Sequence, residues 1–309
     1  MKIVILDRET LGADLDLRVL EKFGEVKSYP KTSPSETAER VKGQNIILTN
    51  KVVINRDILE NSSDMKLICI TATGMNNVDL KSAEEFGIEV KNVAGYSTES
   101  VVQHTFATLF YLLENLNYHN SFVKSGEWRE SRLFTDVSKP FFELAGKKFG
   151  VIGLGTIGKR VGEVAKAFGC EVVYYSTSGK NSSSDFKRVE LNELLSTSSV
   201  ISVHSPLNPQ TENLLNYENM QQIKDGSVIL NMGRGGIINE EDIAKTIESR
   251  EILFGLDVTS VEPLPAENPL NRVLQNGKLF ITPHIAWTSI EARKKLLEGV
   301  VKNIEDFLK

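Results

Sequence analysis

Three strand ends in the C-terminal half of the chain carry side chains that could do chemistry on an anionic small molecule. Arg234 stands between two glycines after an apolar run, Glu262 precedes a proline, and His284 follows one. A guanidinium binds paired oxygens and stays charged, while an imidazole exchanges protons near neutral pH. Each residue also has an ordinary structural explanation: an ion pair at a strand end, a solvated glutamate or a packed histidine. The glycines beside Arg234 favour access for a ligand.

A glycine motif halfway along the chain predicts how a cofactor would be held. An apolar strand (Phe149 to Ile152) runs into Gly153-x-Gly155-x-x-Gly158, and an amphipathic helix follows. The first glycine permits a tight turn, the second lets the backbone approach a pyrophosphate, and the third lets the helix pack on the strand. The motif alone is weak evidence. Together with the strand, the helix and a second strand (Glu171 to Tyr175), it predicts a dinucleotide site.

The end of that second strand bears on the choice between NAD and NADP. In NAD sites an acidic residue about 20 positions past the glycines usually accepts the ribose 2′-hydroxyl. Here the strand ends without an acid, in the turn Ser176-Thr177-Ser178-Gly179-Lys180. Hydroxyls and a lysine tolerate or bind a 2′-phosphate, which a carboxylate would repel. NADP is therefore slightly favoured over NAD, although a solvated serine-rich turn explains the segment nearly as well.

Composition and charge restrict the class of protein. The chain has 309 residues, 40% hydrophobic and 25% charged, with a net charge of −5. This predicts two domains of ordinary size and no general nucleic-acid partner. No apolar run reaches transmembrane length, and the first apolar run is too short for a signal peptide. Cys69 and Cys170 lack metal-ligand spacing, so we expect no metal site, and they suggest buried residues of a cytoplasmic protein.

The order of elements predicts an α/β fold with two doubly wound parallel sheets. Five strands alternate with helices before residue 94, including a capping box at Ser33 to Glu36 and a helix from Asp79 to Phe86 that ends at Gly87. A long buried helix from about Thr98 to Asn117 connects this region to the glycine motif. Later strands are predicted at residues 200–203, 227–230, 253–256 and 279–281. An amphipathic helix over residues 291–309 closes the chain.

These motifs in this order resemble the D-isomer-specific 2-hydroxyacid dehydrogenase family over nearly the whole chain. Besides the strand ends and the glycine motif, the likeness includes Thr71 to Leu80 and Gly95 to Val101. Asn76 to Asp79, Gln103 to Thr105 and His284 to Trp287 look most like the glycerate dehydrogenase/hydroxypyruvate reductase branch. The resemblance implies a discontinuous, flavodoxin-like substrate domain (1–97 and 287–309), a Rossmann NAD(P)-binding domain (98–286) and a cleft between them. It also implies a homodimer.

The resemblance implies reduction of a small 2-oxo acid to a D-2-hydroxy acid, with hydroxypyruvate or glyoxylate favoured. Arg234 would hold the carboxylate and polarise the carbonyl, His284 would exchange the proton, and Glu262 would bond the other ring nitrogen. The expected cofactor contacts are Thr73, Gly153, Gly155, Thr156, Ile157, Gly158, Ser176, Thr177, Ser178, Lys180, Ser205, Met232 and Asp257. The expected substrate contacts are Lys51, Thr73, Gly74, Met75, Arg234 and Trp287.

The other three histidines are not expected to act in catalysis, and two rival functions remain. His104 and His119 are interpreted as packing or surface residues, and Ser205 rather than His204 is expected to touch the cofactor. One rival is a noncatalytic dinucleotide-sensing regulator of the same fold. Another is a different dehydrogenase of the family, of the D-lactate, 3-phosphoglycerate or formate type. Formate enzymes of the family pair glutamine with histidine, so Glu262 favours hydroxy acids.

Overall fold

The computed structural model describes residues 1–309, which divide into two compact units. The first unit comprises Met1–Ser97 and Thr288–Lys309, and the second comprises Thr98–Trp287. The chain thus leaves the first unit once and returns to it for its last helix. No helix is both long and apolar enough to span a membrane.

A five-stranded parallel sheet forms the centre of the first unit. Its strands are β1 (Lys2–Ile5), β2 (Glu25–Ser28), β3 (Ile46–Thr49), β4 (Leu67–Ile70) and β5 (Glu89–Lys91). Their spatial order is β2-β1-β3-β4-β5, which is the flavodoxin-like order. The central strands β3 and β4 are buried along their whole length, because helices cover both faces of a parallel sheet. The predicted parallel α/β sheet is confirmed.

Capping residues and a glycine mark the ends of helices in the first unit. They are α1 (Pro34–Val41), α2 (Arg56–Glu60), α3 (Leu80–Glu85) and α11 (Ile290–Phe307), with 3₁₀ turns at Arg8–Leu11 and Leu17–Phe23. Ser33 and Glu36 form the predicted capping box of α1. The α3 helix is followed by Gly87, whose φ of +68° suits a residue without a Cβ. The α11 helix packs against β4.

The second unit is built on a seven-stranded parallel sheet. Its strands are β6 (Lys148–Ile152), β7 (Glu171–Tyr175), β8 (Lys187–Arg188), β9 (Val200–Val203), β10 (Val228–Asn231), β11 (Leu253–Leu256) and β12 (Leu279–Ile281). The order β12-β11-β10-β9-β6-β7-β8 places β6 between β7 and β9, where the strand order reverses. In such sheets ligands bind beyond the carboxyl ends of the strands at this reversal.

The predicted connector helix from Thr98 to Asn117 is shorter than expected. It forms α4 (Thr98–Leu113), and the chain then turns at Asn115, whose φ is +51°. Asparagine tolerates this left-handed conformation, so the helix is interrupted there. The other helices of this unit are α5 (Leu116–Lys124), α6 (Glu127–Glu130), α7 (Thr156–Ala167), α8 (Leu191–Thr197), α9 (Tyr217–Met220) and α10 (Glu240–Ser249), with a 3₁₀ turn at Pro269–Arg272.

Candidate active site

Glu262 and His284 form a hydrogen-bonded pair on the loops that follow β11 and β12. His284 Nδ1 lies 2.7 Å from Glu262 Oε2. The other carboxylate oxygen of Glu262 accepts a hydrogen bond from the Thr259 backbone N–H at 3.2 Å. Because a carboxylate only accepts hydrogen bonds, Nδ1 carries a proton, and Nε2 is the nitrogen that can exchange a proton with a ligand.

Arg234 follows β10 in a loop held by Asn231. The Asn231 side chain accepts from the Gly233 N–H at 3.0 Å and donates to the Arg234 carbonyl at 2.9 Å. The guanidinium is partly buried and donates to the Gly233 carbonyl at 2.8 Å, and no carboxylate lies within ion-pair distance of it. A partly buried cation without a protein counter-ion suits an anionic ligand.

The loops of Arg234 and Glu262 pack directly against each other. A Cβ atom on Gly235 would lie 2.0 Å from the carbonyl carbon of Thr259, so only glycine allows this approach. Glu240, at the start of α10, accepts from the Ser260 N–H at 2.5 Å and from the Asn268 amide at 2.6 Å. The second unit therefore brings Arg234, Glu262 and His284 to one edge of its sheet on tightly held loops.

The glycine motif has the geometry of a phosphate cradle. Gly153 has φ of +91°, and a Cβ on Gly158 would lie 2.1 Å from the Gly153 carbonyl oxygen, so both positions need glycine. A Cβ on Gly155, the residue before α7, would meet only open space. Thr156 and Ile157 form the first turn of α7, whose free N–H groups favour an anion. These residues fit a dinucleotide pyrophosphate.

Three further predicted cofactor residues lie in the second unit at the ends of its strands. Ser205 is buried after β9, and its hydroxyl donates to the Ile152 carbonyl at 3.3 Å. Met232 is buried in the hydrophobic core. Asp257 is buried after β11, and its two carboxylate oxygens accept from the backbone N–H groups of Ile285 and Ala286 at 2.8 and 2.9 Å. Asp257 therefore holds the segment that follows His284.

The turn after β7 contains an unsatisfied hydroxyl. Ser176 Oγ is buried and has no hydrogen-bond partner, whereas Thr177 is partly buried, and Ser178 and Lys180 are exposed. Arg188, on β8, donates to the Gly179 carbonyl of this turn at 3.2 Å. Sequence reasoning missed Arg188, because a two-residue strand has no recognisable periodicity. Only its pairing with Tyr174 places it beside the turn.

The predicted substrate residues of the first unit follow β3 and β4. Lys51 is exposed, and its backbone N–H donates to Asp7 at 2.8 Å. The Asp7 carboxylate also accepts from the Asn50 N–H at 2.9 Å, and burial raises the pKa of Asp7. Asp7 was not predicted as a site residue, although its place at the end of β1, next to β3, is where the strand order reverses.

The segment after β4 contains the remaining predicted residues of the first unit. Thr73 is exposed and donates to the Val93 carbonyl at 3.1 Å, Gly74 is partly buried, and the Met75 side chain packs against the core. Trp287 is partly buried and is the last residue of the second unit.

His204 is buried without a partner for one ring nitrogen, whereas His104 forms a side-chain hydrogen bond. Burial lowers the pKa of His204 to about 3, and its Nδ1 is buried without a partner, so His204 stays neutral. His104, interpreted above as a packing or surface residue, is partly buried, and its Nε2 lies 2.9 Å from the Thr282 hydroxyl. Burial raises the pKa of the Cys69 and Cys170 thiols to about 12 and 11, so both stay protonated. No group of three acidic, histidine or cysteine side chains is placed to hold a metal ion.

Comparisons with known proteins agree with this fold. Residues 106–286 match the model of the NAD-binding domain of D-isomer-specific 2-hydroxyacid dehydrogenases. A hydroxypyruvate reductase from Blautia hydrogenotrophica is 40% identical over 317 residues, covering 100% of this chain and 97% of the relative. A glycerate dehydrogenase from Methylorubrum extorquens is 33% identical over 309 residues, covering 99% and 96%. A structure of an acyclic imino acid reductase with NADPH and D-Arg has a TM-score of 0.87 and 27% identity, covering 100% and 97%.

The chain therefore belongs to the D-isomer-specific 2-hydroxyacid dehydrogenase family. Like the family, it is an oxidoreductase that uses a nicotinamide dinucleotide, and its substrates are small hydroxy acids and the corresponding oxo acids.

Proposed function

We propose that this protein reduces hydroxypyruvate or glyoxylate to D-glycerate or glycolate. The observation that carries the proposal is the 2.7 Å Glu262–His284 pair beside an arginine without a protein counter-ion. The names of the relatives in the glycerate dehydrogenase and hydroxypyruvate reductase branch support the substrate class. A glutamate partner favours carbonyl reduction, because it stabilises the protonated imidazole that this reaction consumes.

The reaction joins a hydride to the C2 carbon of the oxo acid and a proton to its carbonyl oxygen. The bound nicotinamide would supply the hydride. His284 would give the proton from Nε2, while Glu262 holds the proton on Nδ1 and stabilises the imidazolium before transfer. In the oxidation direction the neutral imidazole accepts the hydroxyl proton at the same nitrogen.

Arg234 would bind the substrate carboxylate and polarise the carbonyl through its paired N–H groups. We further propose that Lys51, Thr73, Gly74, Met75 and Trp287 contact the substrate. In this proposal the first unit is the substrate-binding domain and the second binds the cofactor, with Gly153, Gly155, Thr156, Ile157 and Gly158 at the pyrophosphate. Thr73, Ser205, Met232 and Asp257 would line the rest of the cofactor.

We propose NADP as the preferred cofactor. The buried Ser176 hydroxyl lacks a partner at the position where an NAD enzyme has its acid. Thr177, Ser178 and Lys180 continue the turn without negative charge, and Arg188 adds a second cation. The imino acid reductase with a similar structure was solved with NADPH.

We also propose a homodimer in the cytoplasm. The segment from Leu116 to Phe141 exposes a run of large apolar side chains, including Trp128, Phe134 and Val137. So many exposed apolar side chains in one segment favour a protein partner, and a second copy of the chain would cover them. The two buried, unpaired cysteines support a reducing compartment. Light scattering after gel filtration measures the oligomeric state, and a monomer would contradict the first proposal.

The catalytic proposal is tested by initial rates with hydroxypyruvate, glyoxylate, pyruvate and larger 2-oxo acids, each with NADH and NADPH. We expect the highest kcat/KM for hydroxypyruvate or glyoxylate, and His284→Ala should lower kcat by about 10²–10⁴-fold. A preference for branched or aromatic oxo acids would exclude this branch of the family. Cofactor binding without turnover of any oxo acid would instead support a noncatalytic regulator.

A further inference from the structure

His284 has a backbone conformation that its neighbours must maintain. Its φ is +54°, in the left-handed region that residues other than glycine rarely adopt. Such a conformation is strained and persists only where surrounding contacts fix it. The His284 N–H donates to the Thr282 carbonyl at 2.9 Å, which closes a tight turn around Pro283.

Asp257 holds this turn from both sides. Its Oδ1 accepts from the Thr282 hydroxyl at 2.7 Å and from the Ile285 N–H at 2.8 Å, while Oδ2 accepts from the Ala286 N–H at 2.9 Å. These bonds fix the residues on either side of His284. No lysine or arginine forms an ion pair with Asp257, and only 2% of the residue is exposed.

His104, on α4, completes the network. Its Nε2 lies 2.9 Å from Thr282 Oγ1 and 3.5 Å from Asp257 Oδ1. The Thr282 hydroxyl has one O–H group, which donates its hydrogen bond to the Asp257 carboxylate, so the hydroxyl oxygen must accept a hydrogen bond from His104. The geometry therefore requires a proton on His104 Nε2. A side chain without an N–H at this position would leave the hydroxyl free to turn away from Asp257.

We infer that His104 is a positioning residue for the acid–base histidine. Through the Thr282 hydroxyl and the Asp257 carboxylate, its Nε2–H fixes the turn in which His284 presents Nε2 to the substrate. This inference rests on the proposed function of His284. It gives a role to a helix residue that does not itself meet the substrate.

Two matched pairs of variants separate positioning from packing. His104→Phe removes the donor but keeps a ring, whereas His104→Gln keeps an N–H near the position of Nε2. Thr282→Val removes the hydroxyl at nearly constant shape, whereas Thr282→Ser keeps it. We expect H104F and T282V to lower kcat by about 10–10²-fold, the usual effect of a misplaced reacting group. The KM for the oxo acid should stay within about twofold, because Arg234 is untouched.

The conservative variants H104Q and T282S should retain most of the wild-type kcat. The double variant H104F/T282V should be no slower than the slower single variant, because both changes break one chain of hydrogen bonds. A long-range ¹H–¹⁵N spectrum, assigned by the signal lost in H104Q, should show the proton of His104 on Nε2. A proton on Nδ1 alone would overturn the inference whatever the rates.

Thermal unfolding of each variant controls for damage to the fold. Equal losses of kcat in H104F and H104Q, or additive losses in the double variant, would show that His104 only packs. Wild-type kcat in H104F and T282V would likewise overturn the inference. A His284→Ala variant with wild-type kcat would refute the proposed function of His284. An inactive H284A together with a fully active H104F would refute only the role of His104.

Discussion

Glu262 Oε2 lies 2.7 Å from His284 Nδ1, so the carboxylate occupies one ring nitrogen of the histidine. This pair joins the loops after β11 and β12. It leaves Nε2 as the only atom of His284 able to exchange a proton with a bound ligand.

Glu262→Gln should slow reduction more than oxidation. Glutamine can still accept a hydrogen bond from Nδ1, but it cannot stabilise the imidazolium that gives the proton in reduction. We expect reductase kcat at neutral pH to fall by about tenfold, equivalent to about 1.4 kcal/mol. Steady-state rates in both directions measure the effect. An equal fall in both directions would mean that Glu262 only orients the ring.

Arg234→Lys and Arg234→Gln should lower kcat/KM without destabilising the fold. Lysine keeps the charge but loses the paired N–H groups, and glutamine loses both. Each hydrogen bond to a charged group is worth about 1.5–3 kcal/mol, so we expect a fall of roughly 10–10²-fold for lysine and a larger one for glutamine. The melting temperature of both variants should equal that of the wild type, because no carboxylate is paired with Arg234 and none would lose its partner. A lysine variant as active as wild type would show that Arg234 does not need two N–H groups to bind the substrate carboxylate.

Ser176→Asp should shift the cofactor preference toward NADH, because it places a negative charge where NADPH has its 2′-phosphate. Lys180→Ala and Arg188→Ala should weaken NADPH more than NADH. The turn is exposed at Lys180, so each effect should be only about 1 kcal/mol. Titration of each variant with both reduced cofactors measures the binding. A wild-type preference for NADH, with no response to Lys180→Ala, would show that the turn is only a solvated loop.

His204 should make the fold less stable in mild acid. Burial lowers its pKa to about 3, whereas an unfolded histidine titrates near pH 6.5. Below about pH 6.5 the unfolded chain takes up a proton that the folded chain does not, so the free energy of unfolding falls as pH falls toward about 3, by at most about 1.4 kcal/mol per pH unit.

His204→Gln removes this proton uptake while keeping a hydrogen-bonding group for the Ser202 hydroxyl, which lies 2.8 Å from His204 Nε2. Urea unfolding at pH 7 and pH 5 should therefore show a smaller loss of stability on acidification in His204→Gln than in wild type. The same pH dependence in both proteins would assign the proton uptake to other groups.

The sequence by itself determined the elements and the residue types of the site. Apolar runs bounded by turn residues predicted the strands, and β7, β9, β11 and β12 have the predicted bounds. Gly153 and Gly158 of the glycine motif were identifiable because only glycine permits the φ angle of the first and the close backbone contact of the second. Periodicity and backbone restrictions are local properties, so they can be read from neighbouring residues.

Only the tertiary structure decided which side chains meet. His104 contacts Thr282, which is 178 positions away, and Arg188 reaches the turn after β7 through a two-residue strand. The break at Asn115 was also missed, because the apolar pattern continues past it while the backbone turns. The contact between His104 and Thr282 depends on the order of the strands and on how α4 packs against them. Hydrogen bonds of this kind have no repeating spacing along the chain, so the sequence pattern does not reveal them. The sequence thus gives the groups available for proton transfer, and the packing of α4 against the sheet supplies the contact that the sequence could not predict.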